Sequence, residues 1–128
     1  PGMGSVFHRS VVEKIGYVDE KDFPQYHGDS DYTLRAKKAG FKIIIYPQLK
    51  IWNDISNSGQ LHGETFKGLI NSFTLVKSKY NIIKDLKFFK RHAKSPVAYF
   101  FLLKEYFKYV GGFFKWQFIG LFKKSHVK

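Results

Sequence analysis

The chain has 128 residues, 44% of them hydrophobic and 19% aromatic, with a formal net charge of +12 at neutral pH and no cysteine. That length fits one ordinary domain with a modest core, and the missing thiols exclude a disulfide framework, a thiolate zinc site and a cysteine nucleophile. Residues 1–76 carry nine Lys/Arg against eight Asp/Glu, whereas residues 77–128 carry thirteen against two, an asymmetry that points to an anionic partner for the second part.

The opening "PGMGSVF" starts at Pro1 without an initiator methionine, as expected of a piece of a longer chain. Gly2 and Gly4 permit close backbone approach to a ligand, and residues 5–7 read as a short strand. Ser10 and Glu13 have the S-x-x-E spacing of a capping box, in which each side chain satisfies a free backbone N–H at a helix start. Gly16 supplies the stop, so a short helix is expected over 11–15. In "YHGDSDYTLRAKKAGFKIIIYP", residues 26–47, Asp29 or Ser30 can cap a second helix. Tyr32, Ala36 and Ala39 then share a face at i, i+4 and i+7, and Gly40 sits where a left-handed terminal residue is needed. Residues 41–46, closed by Pro47, are apolar on both faces, the pattern of a strand buried in an α/β sheet. Residues 50–52 are a shorter strand signal ahead of the polar loop "NDISNSGQ".

From Thr65 the period becomes helical. Phe66, Leu69, Ile70, Phe73 and Tyr80 mark one face of a helix of roughly four turns. Ile82, Ile83, Leu86 and Phe89 mark another, ending before Ser95-Pro96. In residues 97–122, eleven of 26 side chains are aromatic, and Lys104, Lys108 and Lys115 recur at i, i+4 and i+11. No run of 18 uncharged apolar residues occurs and no signal-peptide pattern opens the chain. Residues 97–124 are therefore expected to lie in a membrane interface, lysines at the headgroups and aromatics at the acyl boundary, with Gly111-Gly112 bending the segment into two helices. The alternative for this basic aromatic stretch is a nucleic-acid-binding module, phosphates on lysines and bases stacked on rings. No RNP, KH or helix-turn-helix pattern is visible and the aromatics follow helical spacing, so nucleic acid is not the expected partner.

Among candidate functional residues, Asp31 lies in the first turn of the second helix, four residues before Arg35, where a dipole contact and an ion pair account for it. Asp29 precedes it and stays open between a cap and a chemical role. His27 neighbours Asp29 and can contact an acceptor or a phosphate. His62 and His92 have no second ligand at metal spacing, so no zinc site is expected.

Gly2-x-Gly4, "HRSVVEKIGYVDE" and "GDSDYTLRAKKAGFKIIIYP" resemble, in order and spacing, the second half of the catalytic domain of family-two glycosyltransferases with the GT-A fold. The resemblance implies an α/β, Rossmann-like half domain on the acceptor side, residues 1–80, followed by a mainly helical, basic and aromatic extension, residues 81–128. It implies that Asp29 is the general base that takes the acceptor hydroxyl proton in an inverting displacement, a role worth about 10²- to 10⁴-fold in rate. Asp31 and Arg35 match the structural part of the motif, and Gly2, Gly4 and His27 fall on its substrate side. The glutamate that precedes the family's base is Gly28 here. The family's metal-holding histidine after the second strand corresponds to Asn53, with Asp54 beside it as the other candidate ligand.

In that family the nucleotide and its Mg or Mn ion are held chiefly by the first half of the domain, which has no counterpart in residues 1–128. The chain is expected to be inactive alone. In the complete enzyme it is expected to serve a nucleotide-sugar donor and a saccharide or lipid-linked acceptor, in cell-surface polysaccharide synthesis, as a peripheral protein on the cytoplasmic face of a membrane with an anionic surface.

Overall fold

The computed structural model describes residues 4–52 and 65–125, with side chains through residue 119. The elements are α1 (Arg9–Ile15), α2 (Gly28–Lys38), α3 (Phe66–Thr74), α4 (Ile82–His92) and α5 (Pro96–Ser125). The chain divides into two compact units, Pro1–Gly59 and Gln60–Lys128. Residues 66–80, grouped by sequence with the first region, thus belong to the unit that also holds α4 and α5.

No strand occurs among the described residues, and this all-helical architecture overturns the expected α/β, GT-A-like half domain. A strand exists only where a neighbour satisfies its backbone N–H and C=O groups. Residues 5–7, 41–46 and 50–52 form no strand ladder with a described segment. Ile43, Ile44, Ile45 and Tyr46 are instead 51, 76, 88 and 62% exposed. The run has the composition of a buried strand, but burial requires a sheet that local sequence cannot supply.

In the first unit, α1 starts earlier than its spacing suggests. His8 is the N-cap and its Nδ1 accepts the Ser10 N–H at 3.3 Å, which leaves Ser10 inside the helix and the expected capping box unformed. Glu13 pairs with Arg9 at 2.9 Å, an exposed i, i+4 contact. Gly16, at φ 74°, closes the helix with its N–H on Val12 O. Val11, Tyr32 and Ala36 form the core between α1 and α2, with Ile15 and Phe41 packed against it. The Phe7 ring meets Tyr32 edge-on at 4.7 Å.

The two helices also cap each other. Lys14 Nζ of α1 donates to Ala39 O at the end of α2 at 2.8 Å. Arg35 of α2 donates from Nη1 to Ile15 O at 2.8 Å and from Nη2 to Tyr17 O at 2.9 Å, at the end of α1. Carbonyls that a helix end leaves without partners are met here by cations from the neighbouring helix, which also oppose the dipole.

In the second unit the helix expected over 66–80 stops at Thr74. The Asn81 side chain donates to Thr74 O (2.8 Å) and Leu75 O (3.2 Å) and accepts the Lys84 N–H (3.0 Å), so one amide closes α3 and opens α4. Lys84 is 5% exposed, and its Nζ donates to Val76 O at 2.6 Å and Ser78 O at 3.0 Å. Burial pushes its pKa down, with Asp85 opposing the shift. Tyr106 of α5 donates its hydroxyl to Asp85 Oδ2 at 2.5 Å. Tyr80 stacks on Tyr109 at 3.8 Å, and Phe73 sits 5.8 and 5.9 Å from the rings of Tyr106 and Tyr109. This aromatic cluster ties α3 and α4 to α5. Helix α5 runs unbroken through Gly111-Gly112, where no neighbour presses into the backbone to bend it.

Candidate active site at the start of α2

Two residues along a helix are about 200° apart around its axis, so Asp29 and Asp31 point to opposite sides. Asp31 points inward. It is fully buried and accepts the Arg35 Nε–H at 2.8 Å, and Arg35 also covers the Tyr32 ring at 5.1 Å. Arg35 thereby carries one carboxylate and two α1 carbonyls, a framework for the start of α2.

Asp29 lies on the other side and is half-buried. Its Oδ1 accepts the Ser30 N–H at 2.8 Å, and its backbone carbonyl accepts the Thr33 hydroxyl at 2.7 Å. Neither Asp29 nor Ser30 is the cap. That position is His27, in the left-handed region at φ 69° and without a side-chain cap bond. Among the described residues His27 is the one non-glycine with positive φ, a conformation costing roughly 1–2 kcal/mol. Its carbonyl accepts the Asp31 N–H at 2.7 Å, and its ring meets Phe23 at 6.2 Å.

Gly28 is buried, and a Cβ there would stand 3.1 Å from Phe23 O and 3.4 Å from Val18 Cγ1. A glutamate here, as the resembled family carries, would crowd the Phe23 carbonyl, which would have to shift slightly to admit it. The turn from Val18 to His27 sits where that side chain would start.

The other sequence candidates fall elsewhere. Gly4 is in the left-handed region at φ 84°, and a Cβ on it would overlap Ile51 Cδ1, so its lack of a side chain serves a contact within the first unit. His92 lies against Phe88, ring centroids 4.9 Å apart. Gly2, Asn53, Asp54 and His62 lie outside the described residues. Among the described residues no three His, Cys, Asp or Glu side chains come together as a metal-binding group.

The structure thus brings His27 and Asp29 to one helix start and sends Asp31 and Arg35 into the frame beneath it. Sequence reading missed the left-handed His27 and the cross-helix donors. A cation in the last helical turn, Lys14 before Gly16 and Arg35 ahead of Gly40, was the available signal. Comparison with protein-family models, curated proteins and solved structures gives no match. No helix among the described residues is long and apolar enough to cross a membrane.

Proposed function

We propose that this chain provides the acceptor side of an inverting glycosyl transfer, with Asp29 as the general base. The acceptor hydroxyl oxygen attacks the anomeric carbon of a nucleotide-sugar donor, the bond from that carbon to the nucleoside diphosphate breaks, and the hydroxyl proton passes to the Asp29 carboxylate. The observation that carries this reading is the division of the two aspartates: Asp31 is fully buried on Arg35, while Asp29 is partly exposed and, among the described residues, its carboxylate is engaged by the Ser30 N–H. The order of motifs along residues 1–47 supports it independently of the fold. His27, strained and adjacent, is the residue placed to contact the acceptor or a donor phosphate.

The nucleotide subsite and its Mg or Mn ion belong, in this reading, to a part of the enzyme outside residues 1–128. The chain alone does not turn over. The acceptor is a saccharide or a lipid-linked saccharide, and the protein works peripherally on the cytoplasmic face of a membrane in cell-surface polysaccharide synthesis. The test is Asp29→Asn in the full polypeptide that contains these residues, assayed for transfer from a panel of nucleotide sugars. Because the amide keeps the shape but cannot take the proton, kcat falls by at least about 100-fold with the fold unchanged. Near-normal turnover of a well-folded variant removes Asp29 from the role of base.

A further inference from the structure

Helix α5 uses one face for the aromatic cluster and leaves another uncovered. Phe100, Leu103, Phe107, Phe114 and Phe118 are 64, 54, 68, 55 and 63% exposed. Spacings of three, four, seven and four residues place all five within roughly 60° of the helix circumference. Lys104, Lys115 and Lys108 come next around the helix, in that order, within roughly 40° of one another. Through residue 119 the helix has one acidic residue, Glu105, which is paired with Lys108 at 2.7 Å.

We propose that this flank of α5 lies flat on an anionic lipid bilayer, the phenyl rings and Leu103 entering the acyl boundary and the lysines reaching the headgroup phosphates. This deepens the peripheral location proposed above by naming the surface and its lipid, and it stands apart from the chemistry of Asp29. Three observations select the occupant. The row of five, which includes the branched aliphatic Leu103, contains no hydrogen-bonding side-chain atom, which suits acyl chains. A second copy docked on this face would bring the bordering lysines of both chains together, a like-charge cost that an anionic headgroup layer turns into attraction. Long aliphatic lysine stems let the charge reach water or phosphate while the helix sits at ring depth.

The experiment is co-sedimentation of the whole chain with vesicles of phosphatidylcholine alone and of phosphatidylcholine with a third phosphatidylserine. The chain should bind the anionic vesicles, and added salt should weaken but not abolish binding, because ring burial is not screened. Phe100→Ser with Phe107→Ser should remove the salt-resistant part. Replacing Lys104, Lys108 and Lys115 by Gln should lower partitioning roughly fivefold per lysine, on the order of 100-fold in all. These three lysines are exposed, so that variant remains informative if the serine variant does not fold, with circular dichroism reporting helix content. Absence of binding by the parent, or parent-like binding by both folded variants, overturns the assignment. So does sedimentation equilibrium that finds a dimer abolished by the serine pair, or an oligonucleotide that binds more tightly than anionic vesicles.

Discussion

Replacing Asp31 by Ala should destabilise the first unit far more than its helical spacing alone suggests. An exposed i, i+4 pair contributes only about 0.3–0.5 kcal/mol. Asp31, however, is fully buried and its partner Arg35 is 23% exposed at the side chain. Removing one member of a buried pair costs about 3–5 kcal/mol, because the remaining charge stays desolvated. The residual exposure of Arg35 moves the expectation to the lower end, about 3 kcal/mol. Native-state hydrogen exchange reads this locally: amides of Val11, Tyr32 and Ala36 should exchange on the order of 100-fold faster, up to the limit set by the unit's own stability. Asp31→Asn keeps an acceptor for Nε and should retain part of the protection. In a double-mutant cycle with Arg35→Met, the second substitution should cost much less once Asp31 is gone. If Asp31→Ala changes exchange at those three amides by less than about threefold, the buried pair is not what holds α2 to α1.

The second unit should weaken in alkali. Burial, with help from Asp85, raises the pKa of the Tyr106 hydroxyl above its ordinary value of 10.0, so above that pH the folded state holds a proton that the unfolded chain releases, and stability falls as pH rises. Lys84 works the other way, since its lowered pKa makes the folded state release a proton first; denaturation midpoints of the parent should still fall beyond about pH 10, and those of Tyr106→Phe should fall less steeply. Equal slopes would count against the assignment. Tyr109 has a buried hydroxyl without a hydrogen-bond partner among the described residues, so Tyr109→Phe should be stabilising by about 1 kcal/mol in urea titration, and a loss of that size would contradict the packing. His27→Gly should raise the stability of the first unit by roughly 1 kcal/mol, by releasing the left-handed strain, while impairing transfer in the complete enzyme if the ring contacts substrate; unaltered kinetics would reduce His27 to a turn residue.

Elements whose determinants are local were legible in the sequence. Gly16 ends α1, and Tyr32 and Ala36 face the core, because a stop residue and an apolar face are written within one or two helical turns. Helix α4 forms where its period places a helix, but Ile82, Ile83 and Leu86 of the expected apolar face are exposed and its buried residues are Lys84 and Asp85. The opposed directions of Asp29 and Asp31 follow from helix geometry alone, once the helix is known to begin at Gly28. What failed depends on partners far along the chain. Residues 41–46 look like a buried strand because Ile-rich runs suit a sheet, yet sheet formation depends on a second strand. The apolar spacing through Tyr80 overran the end of α3 because that ring stacks on Tyr109 of α5 from a turn, a contact no helical period encodes. Gly111-Gly112 promised a bend from propensity, but a glycine pair only permits one, and nothing pushes there.

The mutual capping of α1 and α2 also bears on how the chain is made. At seven residues α1 is too short to persist by itself in water. It leaves the ribosome before α2, yet the donor to Ile15 O is Arg35, twenty residues later. At about 5–20 residues per second the nascent segment waits roughly one to four seconds for that guanidinium. During the interval the apolar side of α1, Val11 above all, is without the Tyr32 and Ala36 that it packs against in the finished fold. Translation speed between Gly16 and Arg35 therefore sets how long that interval lasts, and a slow codon stretch there would lengthen it without altering the finished fold.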